Sequence, residues 1–374
     1  KSLQKFHLTV VQEVNVAPLL VTYITHHLQV PAVVQQALTQ RLGAPMVKQL
    51  LGEPAQVTLR QRSGVLGVHK FWVKNGAKTY VLPSNVDVGI REFSHNGYEF
   101  SLSYDTLRGA YASAYELDAL QVKGCTGVSR VALAIDHWQG DSEGSFEGMI
   151  PIGSGESHVA AVTFTGAAQT LSLRDVDLAW IYTANNKLLD VSETVSIDSV
   201  TVTGKNLGRV ETAMALTRLD VKPFYAMWRA YQTTQMQRYS TTRACKAAFM
   251  DTLKTQALQF TQSQPTLAYP IYKITNEHGA LSASFITRLA PIKAQEVGDM
   301  DQVLQQVIQG LTGAAKVDLS EAYLTKPVGM TAPQVQALAA LPWFTRQAET
   351  LSLDVKWDQG TATVNGKTMP LHEL

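Results

Sequence analysis

The spacing of apolar residues changes character several times along the chain. From Val16 to Leu42 they fall at mixed intervals, with Pro18 near the start and Pro31 in the middle, and Gly43 and Pro45 follow. Proline removes a helical hydrogen bond and clashes with the preceding turn, so this stretch predicts two short helices rather than one long one. From about Gln56 to Val221 the period drops to two, punctuated by Gly, Asn, Asp and Ser, which predicts strands. Asn75-Gly76 and Asn96-Gly97 predict hairpin turns, because both residue types tolerate positive φ. Trp138 to Gly155 holds five glycines and little periodicity, so most of it is expected to be loop.

Within the strand region one pattern recurs. Tyr115, Leu117, Leu120 and Val122 alternate, skip one residue, then alternate again. Leu171, Leu173, Val176 and Leu178 do the same, as do Val195, Ile197, Val200 and Val202, and Met214, Leu216, Leu219 and Val221. Side chains on a strand point alternately to opposite faces, so one extra residue would send the second half of each set to the wrong side. A β-bulge at the skip returns both halves to one apolar face and bends the strand. The other reading is two short strands meeting at a corner.

Beyond Val221 the spacing becomes helical. Lys222-Pro223 opens a predicted helix reaching about Gln262, with Phe224, Trp228 and Tyr231, then Cys245, Phe249, Leu253 and Phe260, on its apolar stripe. Strands are expected at Thr266 to Ile274 and Ala280 to Leu289, joined across Asn276-Glu277-His278-Gly279. Helices are expected next at about Met300 to Leu311 and Ala332 to Thr350. Leu351, Leu353, Val355 and Trp357 then alternate, and closing strands turn at Asp358-Gln359-Gly360 and Asn365-Gly366. Helices and strand pairs are segregated, which predicts an α+β fold: a large curved, mostly antiparallel β-sheet with bulged strands, packed against several helices. Residues 1–55 are expected to be a helical segment and 56–221 a β-rich region. Residues 222–374 supply the long helix, hairpin, helices and closing strands of the same unit.

Hydrophobic residues make up 45% of the chain and charged residues 17%, enough apolar material for a substantial core. The 32 basic and 31 acidic residues nearly cancel and form no Lys/Arg cluster. That excludes the basic footprint required by nucleic acid, and it argues against a strongly anionic membrane surface. No run of about 18 apolar residues is present. The sequence begins with Lys1, so a leader, anchor or larger N-terminal segment is expected to precede it. Cys125 and Cys245 form no metal-ligand spacing; a buried thiol is the simple reading for Cys245, and a disulfide between the two stays open.

Candidate chemistry is sparse. Gly140-Asp141-Ser142-Glu143-Gly144 has the spacing of a nucleophile elbow, which works by exposing the serine on a strand-to-helix turn. The residues after it, Ser145 to Pro151, do not read as a helix. Gly153-Ser154-Gly155 begins like a dinucleotide fingerprint but has His158 at the third glycine position, and again no helix is expected to receive a phosphate. Asp136, Asp141, Glu143 and Glu147 gather acidic oxygens without the spacing of a calcium loop. His26 and His27 are adjacent, so on a helix they diverge by about 100°. His69, His95, His137, His158 and His278 stand singly. No catalytic, metal or cofactor-binding residue is assigned, and no cofactor is expected.

Three stretches resemble the YdgA-like family of bacterial envelope proteins, a family of unknown function. They are Leu51 to Arg60, the hairpin from Gln264 to Phe285, and Leu353 to Leu371 with its Val364-Asn365-Gly366-Lys367 element. The resemblance implies the periplasmic, soluble part of an inner-membrane-anchored protein and transfers no functional residue. The leading expectation is a non-catalytic domain whose apolar sheet face binds a lipid or another hydrophobic envelope component. The alternative is a structural module that docks another envelope protein. A hydrolase using Ser142 comes third.

Overall fold

A computed structural model describes residues 10–17, 21–29, 35–36, 38–40, 44–51, 56–64, 67–81, 89–126, 129–147, 150–185, 188–223, 226, 255–256, 258–292 and 300–371. Among them strand accounts for 69% and helix for only 16%; the strands form a large antiparallel sheet that is open rather than closed. The expected antiparallel sheet is present, with far less helix than an α+β reading implies. The chain divides into two compact units: Lys1–Ala179 with Ile197–Gly204, and Trp180–Ser196 with Lys205–Leu374.

In the first unit β1 (Val10–Ala17), β2 (Val21–Gln29), β3 (Gln56–Gly64), β4 (Val68–Val81), β5 (Ile90–Asp105), β6 (Ala110–Thr126), β7 (Ser129–Glu147) and β8 (Ile150–Thr165) form a meander, each strand antiparallel to the next. One helix, α1 (Ala44–Leu51), interrupts it. The N-terminal helices expected at Val16 to Leu42 are replaced through Gln29 by β1 and β2. The physical reason is composition: Val, Thr and Ile dominate these segments, and β-branched side chains lose χ1 freedom in a helix but suit a pleated strand.

Over the loop expected at Trp138 to Gly155, the described residues 138–147 and 150–155 are also strand, in β7 and β8. Its glycines permit close approach instead of turns. Gly144 lies opposite Gly153, and a Cβ on Gly144 would fall 1.9 Å from the Ile152 carbonyl oxygen. Asn75-Gly76 and Asn96-Gly97, expected as hairpin turns, lie inside β4 and β5, where Gly76 pairs with Gly97.

These glycines mark a seam. Regular pairing skips Ala77–Asn96 between β4 and β5, Asn96–Ala119 and Gly97–Asp118 between β5 and β6, Asp118–His137 between β6 and β7, and His137–Ala160 between β7 and β8. Gly97 has φ 136° and His137 φ 44° at this line. On either side of it the register is unchanged, so every strand carries its extra residue opposite its neighbour's. The skip in Tyr115–Val122 is thus matched across strands, where an isolated bulge would shift the pairing. Positive φ also falls at the skips of two other sets, at Asp175 in β9 (Thr170–Asn185) and at Arg218 in β11 (Lys205–Asp220). β9 pairs with β10 (Leu188–Val202).

In the second unit β11 pairs with β12 (Thr266–Asn276), then β13 (Gly279–Leu289), β14 (Leu311–Ser320) and β16 (Thr350–Asp358). A true register shift accompanies Pro270 in β12, a residue that cannot donate to a ladder. β14 has no counterpart among the expected elements; it starts directly after α2 (Met300–Gly310). The helix expected from Ala332 to Thr350 is divided. α4 (Ala332–Ala339) comes after the short α3 (Glu321–Thr325), and β15 (Thr345–Gln347) then pairs with β16. Thr331 begins α4 in a reciprocal capping arrangement with Gln334. β17 (Thr361–Val364) and β18 (Lys367–Pro370) close the chain through tight turns with positive φ at Gln359-Gly360 and Asn365-Gly366. The core of this unit is Leu319, Leu324, Val335 and Leu351, with Val317, Leu338 and Phe344 packed around it.

Candidate apolar binding face

Cross-strand partners share a face, so the registers of the first unit define rows of side chains. One row is Tyr80, Phe93, Val122, Leu133 and Phe164; the next is Lys78, His95, Leu120, Ile135 and Val162. Beyond the seam lie Asn75, Tyr98, Leu117, Trp138 and Val159, then Val73, Phe100, Tyr115, Gly140 and Ser157. Ring contacts tie the two sides together: His95 and Tyr98 centroids are 5.4 Å apart, so residues three apart in sequence share one face. Without the extra residue at the seam they would point to opposite faces.

This face is apolar and only partly covered. Tyr98, Phe100 and Trp138 keep 36%, 39% and 38% of their surface exposed, and Phe164 46%. Its polar atoms are mostly satisfied locally. The Trp138 indole N–H donates to the buried Ser157 hydroxyl at 2.9 Å, and the Asn75 amide bonds the Tyr98 hydroxyl. Tyr115 packs edge-on to Trp138 at 5.5 Å and lies over Gly140, where a Cβ would approach its ring and the Glu156 carbonyl to about 2.5 Å.

The residues singled out in the sequence are dispersed over these strands. Ser142 is in mid β7, directly opposite Ser113, with the two hydroxyls 2.7 Å apart; the strand runs on through it, so no strand-to-helix turn is formed. Gly153, Gly155 and His158 lie along β8, and the His158 ring meets the Asp177 carboxylate at 2.7 Å. Asp141 and Glu143 are exposed on β7, with Asp141 opposite Glu156. His26 and His27 are neighbours on β2, paired with Leu59 and Thr58. The His69 ring meets the Ser63 hydroxyl at 2.8 Å, and His278 approaches the carboxylate of its neighbour Glu277. Cys125 pairs with Arg130 through the backbone, whereas Cys245 and the stripe from Phe224 to Leu253 lie outside the described residues.

Two features were invisible in the sequence. Glu116, Asp118 and His137 bring one ligand atom each within 4.8 Å of one another at the seam, though both carboxylates are exposed. In the second unit a shallow depression of about 320 Å³ opens over Ala268, Pro270, Ile286 and Ala314, edged by Lys356 and Asp354. The first depended on the cross-strand register and the second on the sheet's packing, and neither leaves a local spacing signal.

Fold and face define an open-sheet antiparallel β protein with a partly uncovered apolar side in its first unit. The chain belongs to the family described as "Bacterial protein of unknown function (DUF945)", whose model matches residues 74–372. The match takes in the seam and all but the last two residues of the second unit. No curated protein and no solved structure is a match to the chain. Among the described residues no helix is long and apolar enough to cross a membrane.

Proposed function

We propose that this chain is a non-catalytic binding module of the bacterial envelope, the periplasmic part of a membrane-anchored protein, and that its first unit holds the acyl chain of a lipid. The observation that carries the reading is the set of apolar rows that continue across the seam while four of their aromatic side chains stay more than a third exposed. Five strands, β4 to β8, at about 4.8 Å spacing give rows roughly 19 Å long. An acyl chain of about 16 carbons lying across the strands has a similar extent.

Magnitudes show which partner contributes more. Covering the exposed third of an aromatic side chain is worth about 1.5 kcal/mol. Each ligand methylene withdrawn from water contributes about 0.8 kcal/mol. A long chain therefore supplies most of the affinity, and the face needs only to be continuous and dry.

Native mass spectrometry on protein secreted to the periplasm and purified without detergent tests this. The expected result is discrete added mass that solvent extraction removes and that Leu117→Glu abolishes without loss of the folded state. A clean apo mass, with no uptake of added fatty acid or phospholipid, overturns it and directs attention to a protein partner.

A further inference from the structure

His95 is a polar side chain within the apolar face, and it keeps only 6% of its surface exposed. Its Nδ1 is buried with no hydrogen-bond partner among the described residues. Tyr80, Phe93 and Tyr98 surround the ring at 6.2, 6.1 and 5.4 Å between centroids. From β4 its direct cross-strand partner is Lys78, with Tyr80 one row on; from β6 the partner is Leu120. α1, which packs against β4, buries Val47 and leaves Lys48 exposed. Lys78 is thus the nearest cation in this set, and none of these elements offers a carboxylate to the ring.

We propose that His95 is a pH-sensitive lock on the β4–β5 ladder: neutral, it closes the aromatic cluster beside the seam; protonated, it opens that ladder. A neutral imidazole tolerates an apolar setting with one lone pair unused. Protonation adds an N–H that has no acceptor and a charge of the same sign as Lys78. The ladder next to His95 already lacks its Ala77–Asn96 pairing, so opening can start at the seam without unravelling a continuous run of hydrogen bonds.

The direction of the effect is set by linkage. Burial first, and Lys78 second, hold the closed ring's pKa below the ordinary histidine value. Above about pH 6.5 both closed and open forms are neutral and pH has no leverage. As pH falls through that value the open form takes up a proton that the closed form refuses. The opening equilibrium then rises by up to about tenfold per pH unit until the closed form's own lower value is reached. The lock does not depend on what the face binds.

Hydrogen exchange on the full chain, corrected for intrinsic rates, tests it at about pH 7.5 and about pH 5.5. Protection in β4 and β5 is expected to fall, by up to about tenfold, at the lower pH while β16 is unchanged. His95→Phe, or His95→Leu if the larger ring is not accommodated, is expected to remove the step and keep the protection seen at neutral pH. Unchanged wild-type protection, or the same step in a folded variant, overturns the proposal. So does an NMR titration that places the folded His95 ring at or above the ordinary histidine value.

Discussion

In the second unit one end of the apolar side of β13, β14 and β16 is covered: α3 and α4 lay Leu324 and Val335 against Leu319 and Leu351, and Leu351 has no exposed surface. In the first unit β5 to β8 present rows at least as apolar, yet Tyr98, Phe100 and Trp138 remain more than a third exposed. Alternation on the strands is equally clean in both. The difference lies in the connections between strands. Ser320 and Thr331 cap short helices that turn back over their own sheet, whereas β5 to β8 are joined strand to strand with no helix between them. A half-apolar strand pattern therefore marks a face to be covered without saying by what.

Substitutions can break this contrast. Leu351→Ala should cost the most, about 4 kcal/mol, because a fully enclosed site cannot relax into the cavity; urea denaturation followed by circular dichroism measures it. Gly140→Ala should come next, at about 3 kcal/mol, since the new methyl meets the Glu156 backbone as well as Tyr115. Adding Tyr115→Ala should relieve only the side-chain half of that clash. Trp138→Ala should cost about 2 kcal/mol despite the larger side chain removed, because the site is already open to water. A larger loss at Trp138 than at Leu351 would mean that the open face is the better packed one.

The smallest effect belongs to Asp318. Burial pushes its pKa up, but hydrogen bonds from the Ser352 hydroxyl and the Lys316 ammonium, with the Lys316 charge, outweigh it and leave the carboxyl below its ordinary value. A lowered folded value means that its stabilisation is present at neutral pH and is lost as pH falls through the acidic range below about 4. Ser352→Ala should move the Asp318 titration upward, read by carboxyl NMR. It should cost about 0.5 kcal/mol at neutral pH, since the carboxylate is partly open to solvent.

Much of the ladder was legible. The skips in the apolar sets fell where Asp175 and Arg218 take positive φ, and the hairpin at Asn276 to Gly279 and the turn at Asn365-Gly366 formed as their residues suggest. Asn96-Gly97 misled because tolerance of positive φ, taken up by Gly97, serves a mid-strand kink as well as a turn, and Asn75-Gly76 misled because it lies in extended strand opposite that kink. Gly140, Gly144 and Gly153 misled because close backbone approach across a pair leaves no periodic trace. His95 looked like any lone histidine. Its burial is set by Tyr80, on another strand, and by two ring neighbours whose common face depends on the seam.

The matched extra residue also constrains how such a chain can change over generations. A single insertion or deletion inside β5, β6 or β7 would put that strand out of step with both neighbours at once. Lengthening a hairpin at its tip by paired residues disturbs neither. Related sequences should therefore vary in strand length at the turns and hold a constant count across the kink, which acts as a ruler that each inherited hairpin carries in its own copy.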